Sequence, residues 1–297
     1  MISIKTFKAD AMLLLTAAIW GFAFVAQRAG MEFVGPYTFN GARFALGGVS
    51  LMPLLFMKRN KRTQKLLKQR YSVIYYGALA GLFLFLGSSF QQVGLQYTTA
   101  GNAGFITGLY VILVPVIGLL WKQKAGFGVW IGAILAVTGM YFLSIDNGFK
   151  INFGDILELI CALFFAIHVL IIGWLSPKFN AVRLSIVQFL IASALSFIVA
   201  LFNEEIILQD ILDAAIPIIY GGVFSAGVAY TLQVVAQKDA PAAHAAIILS
   251  LESVFAVFGG WLLLSEVVTT RILIGAALML AGMLSAQFQS FFVKKKK

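Results

Sequence analysis

The stretch Ile247–Glu266, IILSLESVFAVFGGWLLLSE, is apolar over a length that crosses a bilayer, yet it holds a carboxylate, Glu252, well inside it. A transmembrane helix needs about 20 predominantly apolar residues. An ionised side chain at that depth costs at least ~2.5 kcal/mol, so such residues face a cavity, a partner or a permeating solute instead of lipid. Apolar runs of similar length recur on both sides of this segment, broken only by brief polar or Gly/Pro stretches.

Composition agrees with a chain embedded in lipid throughout. Of 297 residues, 61% are hydrophobic and 11% charged, and the mean hydropathy of +0.93 leaves too little polar surface for a soluble domain. The apolar runs are continuous and do not alternate over ~10 residues, which excludes a transmembrane β-barrel. The expected fold is therefore an all-α integral membrane bundle, with ten transmembrane helices near 10–28, 36–57, 72–96, 98–121, 126–144, 153–175, 181–201, 214–237, 241–263 and 268–292. Lys5 and Lys8 precede the first run as in a signal peptide, but no small-residue cleavage site follows and further spans come directly after it, so a retained helix is expected. The single cysteine, Cys161, lies in an apolar run and reads as a small core residue.

The net charge of +10 does not point to nucleic acid, because the basic residues sit in connections and in a terminal KKKK. Nearly all 22 Lys and Arg fall at the N-terminus, after spans two, four, six and eight, and at the C-terminus. The opposite connections hold only Arg28, Lys150 and Arg271, with Arg43 left inside a span. By the positive-inside rule both termini are expected in the cytoplasm, in a cell (inner) membrane. The acidic loop Glu204, Glu205, Asp210 and Asp213 then falls outside. No GxxxxGK[ST] phosphate loop and no HExxH occur, and there are two histidines in all. An enzyme, a metal site and a cofactor are not expected, and any active transport would draw on a gradient.

The halves 1–148 and 149–297 resemble each other. A shift of 145 pairs Asp10 with Asp155, Trp20 with Phe165, Arg43 with Gln188 and Phe44 with Phe189. A shift of 141 lays Gln92 over Gln233 and Gln96 over Gln237, and one of 143 lays IGAILAVTGM from Ile131 over IGAALMLAGM from Ile274. Five spans per copy is an odd number, so the second repeat enters the membrane from the other side. Inverted repeats of this kind build secondary transporters, whose site lies near the midplane between the halves.

Candidate site residues are the polar and aromatic groups inside the spans. Glu252 suits a cation or a proton, or else a structural pairing with Arg43. Its repeat partner is Val111, so the acid is not duplicated. His244 lies on the same helical face as Ile248, Glu252 and Phe255, and suits a relay or a gate as histidine ordinarily changes charge near neutrality. Arg43 stands roughly 10 Å inside the second span at 1.5 Å per residue, where it anchors an anionic group or is neutralised within the protein. The glutamine pairs Gln92/Gln96 and Gln233/Gln237, extended by Gln91, Asn102 and Tyr230, either bind a polar solute or join helices. Trp20, Tyr110 and His168 are placed to form an aromatic wall, with a cation–π option beside Glu252.

AIWGFAFVAQRAG in span one, FNGARFALGG in span two and PAAHAAIILSLESVFAVFGGWLLLSE leading into IGAALMLAGM resemble the drug/metabolite transporter superfamily, specifically its EamA type. The resemblance implies a basket of ten helices around a central cavity gated alternately to each side, often exporting amino acids or other small metabolites. Many members carry a proline after the first glutamate, where this chain has Ser253, so the resemblance leaves a helix break there open. The expected function is secondary active transport of a small polar or amphipathic, amino-acid-like metabolite, as proton-coupled export. The partners would be that solute, protons and membrane lipid, without nucleic acid. The alternatives are uptake of an organic cation such as a quaternary amine, and a receptor or scaffold that transports nothing.

Overall fold

The computed structural model describes residues 4–57, 66–98, 100–123, 125–144, 153–264 and 269–293. The basic run Lys58 to Lys65, Lys124, Lys150, Glu266 and the terminal lysines from Lys294 lie outside them. All ten expected segments are helical within the described residues. They are α1 (Ile4–Gly30), α2 (Pro36–Met57), α3 (Leu66–Gly94), α4 (Ala100–Gly108) with α5 (Tyr110–Leu120), α6 (Phe127–Ser144), α7 (Phe153–Leu175) and α8 (Ala181–Asn203), then a short connecting helix α9 (Leu208–Asp213). The chain continues with α10 (Ala215–Ile219), a π-helix π1 (Tyr220–Tyr230), α11 (Thr231–Ala236), α12 (Ala242–Leu249), α13 (Glu252–Leu264) and α14 (Thr270–Val293). Seven stretches are long and apolar enough to cross a membrane, and Phe127–Gly139 and Leu273–Ser285 are shorter apolar helices. Large apolar side chains such as Phe202 (84% exposed), Ile216 (82%) and Leu120 (80%) point outward, while Asn40, Gln92, Glu158 and Gln188 are wholly buried. That distribution suits lipid outside and a polar interior.

The main departure from ten simple helices is that two spans are broken. Between α4 and α5 the chain tightens at Leu109, and between α12 and α13 at Ser250 and Leu251. Both breaks use i→i+3 hydrogen bonds, Leu109 N to Ile106 O (3.1 Å) and Val254 N to Leu251 O (3.0 Å). In the first, Pro115 withholds the donor that Val111 O would accept. The second has no proline, yet the break that Ser253 left open does form. There the serines compete with the backbone: Ser250 Oγ donates to Ile247 O (2.9 Å) and Ser253 Oγ to Gly104 O across the bundle (2.7 Å). The two breaks are equivalent at the shift of 141, since Ser250 corresponds to Leu109.

Small residues let the helices approach closely. A Cβ at Gly139 of α6 would lie 2.5 Å from Gly275 O, and one at Gly282 of α14 would lie 2.7 Å from Gly132 O. Likewise a Cβ at Gly81 would meet Ile191 Cβ at 2.8 Å, and one at Gly222 would meet Leu46 Cβ at 2.8 Å. Gly21 packs α1 directly on α13, leaving 2.7 Å from its missing Cβ to Glu252 O and Ala256 N. Outside the cavity, both oxygens of Glu204 accept from the α2 N-terminus, Tyr37 N and Thr38 N, each at 2.8 Å. A carboxylate there meets unsatisfied donors at the positive end of the helix dipole.

Candidate solute cavity

A narrow cavity lies between α1, α2, α3, α4, α5, α7, π1, α11 and α13. Eight of the residues read from the sequence line it together: Trp20, Arg43, Gln91, Tyr110, His168, Tyr230, Gln233 and Glu252. The breaks and the π-helix explain how. Glu252 is the first residue of α13, so its carboxyl sits at the positive end of a half-helix while facing the cavity. Tyr110 opens α5 at the matching break. In π1 the wider turn leaves backbone oxygens for α1, whose Thr16 Oγ1 donates to Ala229 O (3.1 Å) and Trp20 Nε1 to Ser225 O (3.3 Å). Tyr220 of π1 donates in return to Ile19 O (3.0 Å).

The aromatic wall is organised on Tyr230. The Trp20 ring lies 4.5 Å from it centroid to centroid, His168 and Phe189 at 6.0 Å, and Phe44 at 6.4 Å. His168 is oriented by Gln188, with Nε2 to Oε1 at 3.0 Å. Arg43 is buried at 3% exposure, with its guanidinium 4.8 Å from the Phe44 ring centroid and 5.6 Å from Phe39. Gly221 makes room for its stem, since a Cβ there would lie 3.3 Å from Arg43 Cδ.

The two charged residues of the cavity are not paired with each other. Among the described residues the ion pair found is His244 Nε2 with Asp10 Oδ1, at 2.8 Å. Arg43 and Glu252 make no hydrogen bond there, and Arg43 Nε is buried without a partner. The Tyr110 hydroxyl stands beside the Glu252 carboxyl, the polar neighbour that the break between α4 and α5 brings to it. The interior thus offers a guanidinium and a carboxyl that no opposite charge neutralises among the described residues.

Four of the sequence-derived residues stand elsewhere. His244 and Glu252 do not share a continuous helical face, because the break at Ser250 and Leu251 separates them and His244 turns to Asp10. Gln96 lies beyond the end of α3, exposed in a turn, so it does not stack one helical turn from Gln92. Gln92 is buried behind the cavity, its Nε2 donating to Gln27 O (3.3 Å). Gln237 donates to Val169 O (3.0 Å) and faces a second basin with Lys178 and Lys238. The side chain of Asn102 lies outside the described residues. Sequence reading passed over Gln27, Thr107 and Ser225, which line the cavity, and Glu158, which is wholly buried beside it and accepts from Thr107 Oγ1 (2.8 Å). Glu158 carried a signal, a second acid one turn into span six after Asp155.

A multi-span helical bundle whose polar groups converge on a cavity suits a membrane transporter, with lipid around it and a small solute as its cargo. The chain belongs to the EamA-like transporter family, whose model matches residues 7–145 and again 152–286. An uncharacterized transporter of Archaeoglobus fulgidus is 35% identical over 289 residues, covering 95% of this chain and 86% of that one. An S-adenosylmethionine/S-adenosylhomocysteine transporter of Chlamydia trachomatis is 29% identical over 124 residues, 39% of this chain and 36% of that one. A solved crystal structure superposes with a TM-score of 0.78 at 16% identity, over 96% of this chain and 98% of that one, a likeness of fold alone.

Proposed function

We propose that the protein is a proton-coupled secondary transporter that exports a small zwitterionic, amino-acid-like metabolite by alternating access. The observation that carries this reading is the pair of opposite, mutually unpaired charges on one cavity, Arg43 and Glu252. A carboxylate on the solute suits Arg43, its ammonium or a proton suits Glu252, and its side chain suits the Trp20 and Tyr230 rings. The match to the Chlamydia protein is in keeping with that class, S-adenosylmethionine being an α-amino acid with a ring to stack. A simple quaternary amine suits the cavity less well, because the unneutralised Arg43 repels a cation.

Alternating access is supported by reciprocal contacts between halves 1–148 and 149–297. Gly139 meets Gly275 and Gly282 meets Gly132, and these residues correspond at the shift of 143. Gly81 meets Ile191 and Gly222 meets Leu46, which correspond at 141 and 145. Reciprocity of this kind is what an internal two-fold axis produces, and with five spans per half that axis lies in the membrane plane. The basic connections favour cytoplasmic termini in a cell (inner) membrane.

The test is reconstitution of the full chain in liposomes with an imposed pH gradient and a panel of labelled amino acids, S-adenosylmethionine and quaternary amines. Accumulation of a zwitterion that follows the gradient and is competed by other zwitterions supports the reading. Transport of quaternary amines alone, or flux indifferent to pH, overturns the substrate class or the coupling respectively.

A further inference from the structure

Glu158 is a wholly buried carboxyl for which the cavity's solute chemistry has no use. One oxygen, Oε2, accepts from Thr107 Oγ1 at 2.8 Å; the other, Oε1, is buried without a hydrogen-bond partner and packs against Gly94, whose missing Cβ would lie 2.8 Å from it. No ion pair to it occurs among the described residues. A carboxyl held in this way has left water on both oxygens, with one taking the Thr107 hydroxyl and the other without a bonded partner, so a proton has an oxygen to occupy.

The neighbourhood supplies a route for that proton. Thr107, the donor to Glu158, also lines the cavity on which Glu252 opens. Around Glu158 stand Asp155 and Cys161 of its own helix, Thr107 of α4 and Glu252 of α13. α3 presents the Gly94 backbone, α5 presents Tyr110 on the Cys161 side, and His244 of α12 is occupied by Asp10. Asp155, one turn nearer the start of α7, accepts from Thr98 Oγ1 at 2.7 Å. Carboxyls therefore follow one another from the start of α7 to the cavity, with a hydroxyl at each of the first two.

We propose that Glu158 is a second proton-binding site, set behind the cavity wall and exchanging its proton with Glu252 through the Thr107 hydroxyl. The Thr107 proton passes to Glu158 Oε2 while Thr107 Oγ1 takes a proton from cavity water or Glu252; one O–H bond breaks for each that forms, and no electrons are transferred. Discharge runs the same path backwards. The inference rests on the proton-coupled reading above, in which Glu252 is the one group named for a proton.

The experiment is infrared difference spectroscopy of the full chain in lipid across a pH titration in sodium-free buffer, reading the C=O band of protonated carboxyls in wild type, Glu158→Gln, Glu252→Gln and Thr107→Val. Glu158→Gln is expected to remove one titrating band that Glu252→Gln leaves in place, and to lower proton uptake by one per chain. Thr107→Val is expected to keep the Glu158 band but slow its response to a pH jump by ~100-fold, the low end of what a positioned proton-transfer group contributes. An unchanged spectrum in Glu158→Gln, with the variant folded by circular dichroism, overturns the site. A band that responds to sodium and not to pH overturns it in favour of an alkali cation, and an unslowed Thr107→Val overturns the route. The spectrum needs no solute, so loss of the band without solute flux in liposomes refutes the transport reading while leaving the proton site standing.

Discussion

The two segments 7–145 and 152–286 each match the same family model and carry different chemistry. At equivalent positions the first has Arg43, Leu13 and Val111 where the second has Gln188, Glu158 and Glu252. Gln188 orients His168, whereas Arg43 is left unpaired on the cavity. Asp10 of the first segment bonds His244 of the second, while Asp155 of the second bonds Thr98 of the first. The backbone seams repeat because packing needs only glycine at matched places. The polar groups differ because a cavity shared between two segments needs each group once, so the cation comes from one side and the acids from the other.

The largest effect expected from disturbing this division is at Glu252. Glu252→Gln makes the second segment as uncharged there as Val111 makes the first. Gradient-driven accumulation in liposomes should fall by ~100-fold or more, as for loss of a proton-transfer group, while solute exchange across the membrane persists. Retention of pH-driven accumulation would remove its coupling role. Arg43→Gln, which copies Gln188 into the first segment, should weaken zwitterion binding by ~10- to 100-fold, the equivalent of a charged hydrogen bond worth ~1.5–3 kcal/mol. Binding measured by scintillation proximity checks it, and Arg43→Lys should recover only part of the affinity because an ammonium cannot form the forked contact.

Smaller effects probe the scaffold that both segments share. Gly21→Ala inserts a methyl against the backbone of Glu252 and Ala256, and should lower stability by ~1–3 kcal/mol as overpacking does, read as a lower midpoint of thermal unfolding in detergent. The same substitution at Gly104, where the nearest atoms are 3.9 Å from the missing Cβ, should be milder. Least of all, Glu204→Gln weakens the charged cap on α2 by ~0.5–1 kcal/mol, within the range for N-terminal charges and caps. Protease protection of the 31–36 loop would report it.

How much of this could be read in advance differs from residue to residue. Trp20, Arg43, Gln91, Tyr110, His168, Tyr230, Gln233 and Glu252 were legible because a polar or aromatic group in an apolar run must find an interior to face. Gln96 and His244 were misplaced for one shared reason: spacing of four residues puts groups on one face only while the helix continues. α3 ends at Gly94, and the ninth span breaks at Ser250 and Leu251. Glu158 was passed over because an acid one turn from the start of a span reads as interfacial; its depth is set by Thr107 and Gly94, which come from other helices.

What the sequence determined by itself is what hydrophobicity and duplication encode locally. The chain lies in a membrane, it is helical, and its two halves repeat, because each span must satisfy its own backbone wherever its neighbours are. The tertiary structure alone decided which buried charges are paired and which are left free. Asp10 takes His244 from 234 positions away, and Arg43 and Glu252 face the same cavity without pairing. Side chains that distant in the chain meet only once the helices have packed, and the packing rests on glycine seams whose geometry no periodicity in the sequence discloses.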